Sequence, residues 1–292
     1  MHVLVLSLAA ALAYGAADFA GGVASRRVSA LAVVLWSQAA GLLVLLPALA
    51  MVGGAPRPSD LGWGAACGVV GAIAIALFYR ALAVGVMGLV SPLTAVLAAV
   101  IPVVFGIARG ERPAPAAALG IAFALAAVVL VSAQSRAPSD AETDAPLARP
   151  RPSRRLPPGI PEALGAGFCF GFFLIALAQT SPAGGLYPLL SMRAVSIAAI
   201  AVGAWALRRS LRVSRPTAPV VVVAGLLDMA ANVSYILASR SGPLSVAAVV
   251  TSLYPGGTVA LAALLLRERL GKAQWIGVAL ALAGVLCIAL AR

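Results

Sequence analysis

Charge is scarce in this chain. Only 10% of its 292 residues are Asp, Glu, Lys or Arg, where soluble globular chains carry roughly 25%. An ordinary soluble domain is therefore excluded. Histidine is nearly absent: His2, at the N-terminus, stands alone, which removes His-based acid–base catalysis and His-rich metal sites. The three cysteines, Cys67, Cys169 and Cys287, form no CxxC pair and sit inside apolar runs, as small buried residues do. No carboxylates pair at helical spacing within the apolar runs, and no nucleophile motif appears. The Gly-rich stretch YGAADFAGG lies within an apolar run with no strand before it, which argues against a phosphate cradle. No enzyme, catalytic residue, metal or cofactor is expected. The net charge of +12 does not point to nucleic acid either, because the Arg residues flank apolar runs, where lipid headgroups and membrane insertion favour them.

What the chain does have is apolar length. Hydrophobic residues make up 62% of it, and the mean hydropathy is +1.03. A spanning helix needs about 20 mainly apolar residues. Ten segments qualify: 3–23, 29–51, 61–81, 85–108, 114–133, 161–181, 184–207, 217–239, 243–266 and 272–291. Their Ala, Leu, Val and Gly content fits helices, which satisfy their own backbone groups in lipid, and lacks the polar–apolar alternation of barrel strands. The first segment has no positively charged leader and is too long for a signal peptide. The expected class is an all-α, multi-pass protein of the cell (cytoplasmic) membrane, embedded in the lipid bilayer.

One connection stands apart. AQSRAPSDAETDAPLARPRPSRRLPPGIP, Ala133 to Pro161, is rich in Pro, Arg and Asp and reads as a disordered linker. It divides the chain into 1–133 (spans 1–5), the linker 134–160, and 161–292 (spans 6–10). The halves match: Gly15 and Gly171 are 156 apart, Gly68 and Gly225 are 157 apart, and Glu111-Arg112 recurs 157 residues later as Glu268-Arg269. Nine residues after each Glu stands a glycine, Gly120 and Gly277. Because five spans are odd, a second copy enters the membrane from the opposite face. The expectation is two five-helix inverted-topology repeats around a central cavity, the plan of many secondary transporters. Loops after the odd-numbered spans hold 15 of the 21 Lys and Arg, and the opposite side holds 5; this bias puts the linker in the cytoplasm and both termini outside.

The stretch GPLSVAAVVTSLYPGGTVALAALLLRERLGKAQWIGVALALAGVLCIAL, Gly242 to Leu290, resembles the end of an EamA repeat. It has Pro255 in the ninth span, a Glu-Arg hinge thirteen residues on, and a Gly-bearing last helix. SPLTAVLAAVIPVVFGIARGERPAPAAALG in the first half is similar, although Pro92 and Pro102 do not keep that spacing, and Gly110 of its hinge is Arg267 in the second copy. The chain thus resembles the EamA family of the drug/metabolite transporter superfamily. The resemblance implies a ten-helix basket around a central cavity, and export or exchange of a small solute, amino acid-like or drug-like. It names no substrate, direction or oligomeric state, so monomer and homodimer both stand. Several members are described with both termini in the cytosol, against the charge count, so orientation stays open. Rival readings are a cation exporter of the small multidrug type and a non-transporting sensor or scaffold. The former needs an acidic residue in the first span of each repeat, yet the counterpart of Asp18 is Leu174.

Polar residues inside spans are costly, about 2.5–3.5 kcal/mol for a central charge, and each needs a reason. Ser7, Tyr14 and Asp18 share one face of span 1, and Asp228, Asn232 and Tyr235 share one face of span 8. Thr251, Tyr254 and Thr258 align in span 9, Ser91 and Thr94 are three apart in span 4, and Gln38 and Arg193 lie in spans 2 and 7. From these, Tyr14, Asp18, Gln38, Ser91, Arg193, Asp228, Asn232, Tyr235, Thr251 and Tyr254 are the expected substrate-binding or coupling residues. Arg193 would hold an anionic group, or else pair with Asp228 or Asp18 as an internal bridge. Asp18 or Asp228 would titrate and couple transport to protons. Pro92, Pro102 and Pro255 are expected to bend spans 4 and 9 as gating elements. Glu111, Arg112, Glu268 and Arg269 are expected to form structural hinges, each Glu capping the helix that follows it.

Overall fold

The computed structural model describes residues 2–85, 87–131, 158–265 and 271–290, and among these it contains helices and no strands. The helices are α1 (His2–Ser25), α2 (Ala30–Val52), α3 (Pro58–Val84), α4 (Met87–Ala108), α5 (Pro115–Val131), α6 (Ile160–Ala178), α7 (Tyr187–Ala206), α8 (Ala218–Ser239), α9 (Leu244–Thr251), α10 (Tyr254–Leu265) and α11 (Lys272–Leu290). Helices α1, α2, α3, α6, α7 and α8 are long and apolar enough to cross a bilayer, and shorter apolar runs lie in α4, α5 and α11. Most of the linker expected over 134–160 lies outside the described residues.

The packing is inside-out relative to a soluble bundle. Leu12, Leu43, Val104, Val202 and Leu282 are exposed, a surface that suits lipid rather than water. The buried stripe of α1 is instead made of Ser7, Ala10, Ala11, Gly15, Ala17, Asp18 and Gly21. Small residues let helix backbones approach closely where lipid offers no hydrophobic drive for helix association. All four tryptophans, Trp36, Trp63, Trp205 and Trp275, are exposed and lie near helix ends, the depth of an interfacial aromatic belt.

Helix α1 packs along α8 and against α9 and α10. Helix α6 packs along α3 and α4, α2 along α8 and α7, α3 along α7, and α5 along α11. Glycines sit at these crossings. A Cβ on Gly68 would lie 2.6 Å from the Met192 carbonyl oxygen of α7, and one on Gly225 would lie 2.7 Å from the Ser37 carbonyl carbon of α2. Only glycine allows these backbones to touch.

The two ends of the bundle are built differently. At one end, the loops between α2 and α3, α4 and α5, α6 and α7, and α8 and α9 are laced together. Asp60 accepts hydrogen bonds from the Ser181 amide (2.8 Å) and hydroxyl (2.6 Å), Arg240 donates to the Gly185 carbonyl (2.8 Å) and Thr180 Oγ1 (3.1 Å), and the Ala55 amide donates to the Ala183 carbonyl (3.0 Å). At the Arg-rich end, the Trp36 indole donates to the Leu211 carbonyl (2.9 Å), and Arg80 pairs with Glu162 (3.3 Å) on the exposed surface.

Glu111 corrects one expectation. Its carboxylate does not cap α5, the helix that follows it. It accepts from the amides of Leu244 (2.9 Å) and Ser245 (3.2 Å), the first two residues of α9. The free amides and dipole of a helix start favour a carboxylate by about 1 kcal/mol, and the fold brings the start of α9 to it. Arg112 is exposed, and Glu268 and Arg269 lie outside the described residues.

The prolines act unequally. Helix α4 runs unbroken through Pro92 and Pro102. The ninth apolar segment breaks at Ser252 and Leu253, just before Tyr254 and Pro255 open α10.

A cavity with one paired and one unpaired polar wall

The break between α9 and α10 faces an internal cavity, and its neighbours on α1, α2, α3, α4, α6, α7 and α8 complete the walls. The empty space, including the part open to solvent at its mouth, is about 820 Å³. Ile75, Phe170, Phe173 and Leu174 supply apolar lining.

One polar wall comes from α2, α7 and α8. Arg193 is only 2% exposed. It donates through one terminal nitrogen to Gln38 Oε1 and through the other to Asp228 Oδ2. The Ser196 hydroxyl also donates to Gln38 Oε1 (3.0 Å). Asn232 donates to the Asp228 carbonyl (2.7 Å) and to Oδ2 (3.3 Å), and its own amide oxygen accepts from the Tyr14 hydroxyl (3.0 Å). A buried cation needs a paired anion and hydrogen-bonded neighbours to be tolerated; this wall supplies the anion and partners for both terminal nitrogens, while Arg193 Nε has none. Of its two alternatives, Arg193 takes the internal bridge, with Asp228 as partner.

The facing wall comes from α1, α9, α10 and the end of α3, and it is unsatisfied. Asp18 is 9% exposed, lines the cavity, and has no hydrogen-bond or ion-pair partner among the described residues. Thr251 Oγ1, Ser252 Oγ and Tyr254 Oη are buried without a partner, and all three residues line the same space. The Tyr79 ring lies against Gly21, one turn beyond Asp18 on α1. Buried polar groups without partners are rare and call for an explanation. All four face the same cavity.

A family model described as the EamA-like transporter family matches residues 1–133 and 157–290. The chain belongs to that family. As an EamA-like protein it is a multi-pass membrane protein of a family of transporters rather than enzymes. No curated protein matches it. Thirteen chains of solved structures do. One, described only as a crystal structure of a protein, superposes over 98% of this chain and 94% of its own with a TM-score of 0.69 and 18% identity. At that identity the likeness is one of fold.

In this EamA-like chain, eight of the ten residues singled out by sequence line the one cavity: Tyr14, Asp18, Gln38, Arg193, Asp228, Asn232, Thr251 and Tyr254. Tyr235 does not line it; its hydroxyl donates to the Leu174 carbonyl (3.1 Å) in the packed core. The side chain of Ser91 lies outside the described residues, as does that of Pro92. Ser37, Tyr79, Ser196 and Ser252 line the cavity without having been singled out. Ser37 precedes Gln38, and Ser196 lies one turn after Arg193, so proximity to a costly polar residue was the available signal.

Proposed function

We propose that this chain is a secondary transporter that exports or exchanges a small metabolite, amino acid-like or drug-like, across the cytoplasmic membrane. It does so by alternating access between two inverted five-helix halves, with Asp18 coupling transport to protons. The observation that carries this reading is the unpaired Asp18 carboxyl on a cavity inside an apolar bundle. Asp228 is bridged to Arg193 and accepts from Asn232, so Asp18 is the cavity carboxyl without a partner.

The repeat reading draws support from the packing. Exchanging the halves turns α1 on α8 into α6 on α3, α2 on α8 into α7 on α3, and α1 on α9 and α10 into α6 on α4. Gly15 approaches Thr258 of α10 and Gly171 approaches Ile101 of α4, and Ile101 and Thr258 are themselves 157 apart. A helix broken where it lines a wet cavity is a common transporter device, and α9 and α10 provide one. The laced end, with Glu111, Asp60 and Arg240, supports reading it as the closed gate.

The test is proton-driven uptake into everted vesicles of labelled amino acids and amines. Wild type accumulates a solute, and Asp18→Asn, at equal protein amount, falls to background. Wild-type uptake in Asp18→Asn would remove proton coupling at this residue. The absence of uptake, resistance or excretion in any expressing strain would favour the sensor or scaffold reading.

A further inference from the structure

We propose that the unsatisfied wall of the cavity is a binding site for a monocation bearing an ammonium group on an apolar body. This rests on the cavity being the solute site of the transporter read above.

The argument is one of charge and unmet hydrogen bonds. The charged residues lining the cavity are Asp18, Arg193 and Asp228. Arg193 and Asp228 neutralise each other, which leaves Asp18 as the one cavity carboxyl without a counter-ion; a cation beside it favours its ionised form. An anionic ligand would lie beside an uncompensated carboxyl, and both terminal nitrogens of the one cation that could hold it are engaged by Gln38 and Asp228, which leaves only its Nε. A zwitterion's carboxylate would find only the Nε of Arg193 free unless that bridge were broken. A monocation cancels the charge and leaves the bridge intact. Buried charges are tolerated when paired and hydrogen-bonded, so ligand and site supply what each other lacks.

The neutral groups agree. An ammonium N–H donates to Asp18, and its remaining donors meet the hydroxyl oxygens of Thr251 and Ser252, which lack partners in the protein. Tyr79 and Tyr254 offer rings on the same wall, and aromatic faces attract cations. Phe170, Phe173 and Ile75 offer an apolar surface for the rest of the molecule. The two walls therefore divide the work: the Arg193 wall is internal structure, and the Asp18 wall is recognition.

The experiment is a thermal-shift titration of the purified full chain with four probes of one shape: 2-phenylethylamine, phenylalanine, 3-phenylpropionate and 2-phenylethanol. A ligand that binds only the folded form raises its apparent stability. The amine alone is expected to stabilise wild type. Asp18→Asn should melt where wild type does without ligand, because its carboxyl bonds to nothing, and should lose about 10- to 100-fold in amine affinity, the loss expected when a charged hydrogen-bond partner is removed. Thr251→Val should weaken the amine by a smaller factor. Equal stabilisation by the zwitterion, a preference for the anion, no shift with the amine, or full amine affinity in Asp18→Asn would each overturn the proposal. Should Asp18→Asn itself melt early, Thr251→Val with unchanged amine affinity and a phenylalanine shift matching the amine's would overturn it. Amine binding without uptake by vesicles would leave this site standing and remove the transport reading; uptake of a zwitterion without amine binding would do the reverse.

Discussion

Arg193→Met is expected to lower unfolding stability by about 3 kcal/mol, the lower end for stripping one partner from a buried ion pair. The lower end applies because the Asp228 side chain keeps 26% of its exposure through the cavity. The substitution leaves Asp228 charged with only Asn232 beside it and removes a donor from Gln38. Adding Asp228→Asn should restore more than half of the loss, because the stranded charge is then gone. Unfolding in detergent of the two single variants and the double variant measures this as a double-mutant cycle. Wild-type stability of Arg193→Met would place the guanidinium outside the structural bridge and return it to ligand recognition.

The second large effect is steric. In Gly225→Val the new Cβ lies 2.7 and 2.8 Å from the carbonyl carbon and Cα of Ser37. These are backbone atoms of a buried helix and have nowhere to turn, so α8 must retreat from α2. Overpacking typically costs about 1–3 kcal/mol, and this site should reach the top of that range. Ser37 adjoins Gln38, and Asp228 lies one turn beyond Gly225, so the displacement also pulls two partners away from Arg193. Gly203→Ala is the control: nothing lies within 4 Å of a Cβ there, and its stability should match wild type. Melting curves that show equal stability for Gly225→Val and Gly203→Ala would refute the close crossing.

How much of this was readable in advance follows from cost. Lipid punishes polar groups, so a polar residue within a long apolar run needs a purpose, and eight of the ten chosen on that ground line one cavity. Tyr235 misses because the polar stripe of α8 is longer than the cavity, and its far end meets the Leu174 carbonyl instead. Pairings were less legible. The sequence offers Arg193 two carboxylates, and the choice of Asp228 depends on α7 and α8 meeting α2. The partner of Glu111 lies 133 residues away. A dipole argument made along the chain picks the nearest helix start, while loop packing picks α9. The break between α9 and α10 is marked by Pro255, but the same residue type in α4 leaves that helix whole, because a proline removes one hydrogen bond and its neighbours decide whether the helix parts.

The central claim is that the cavity is reached alternately from the two faces of the membrane. Ser37 of α2 lines it and is small enough to replace. In a background with Cys67, Cys169 and Cys287 changed to alanine, a cysteine at position 37 should react with a membrane-impermeant thiol reagent added to right-side-out vesicles and, separately, to everted vesicles. The proton gradient should shift the balance between the two. Reaction from one face only, under every gradient, would contradict the account.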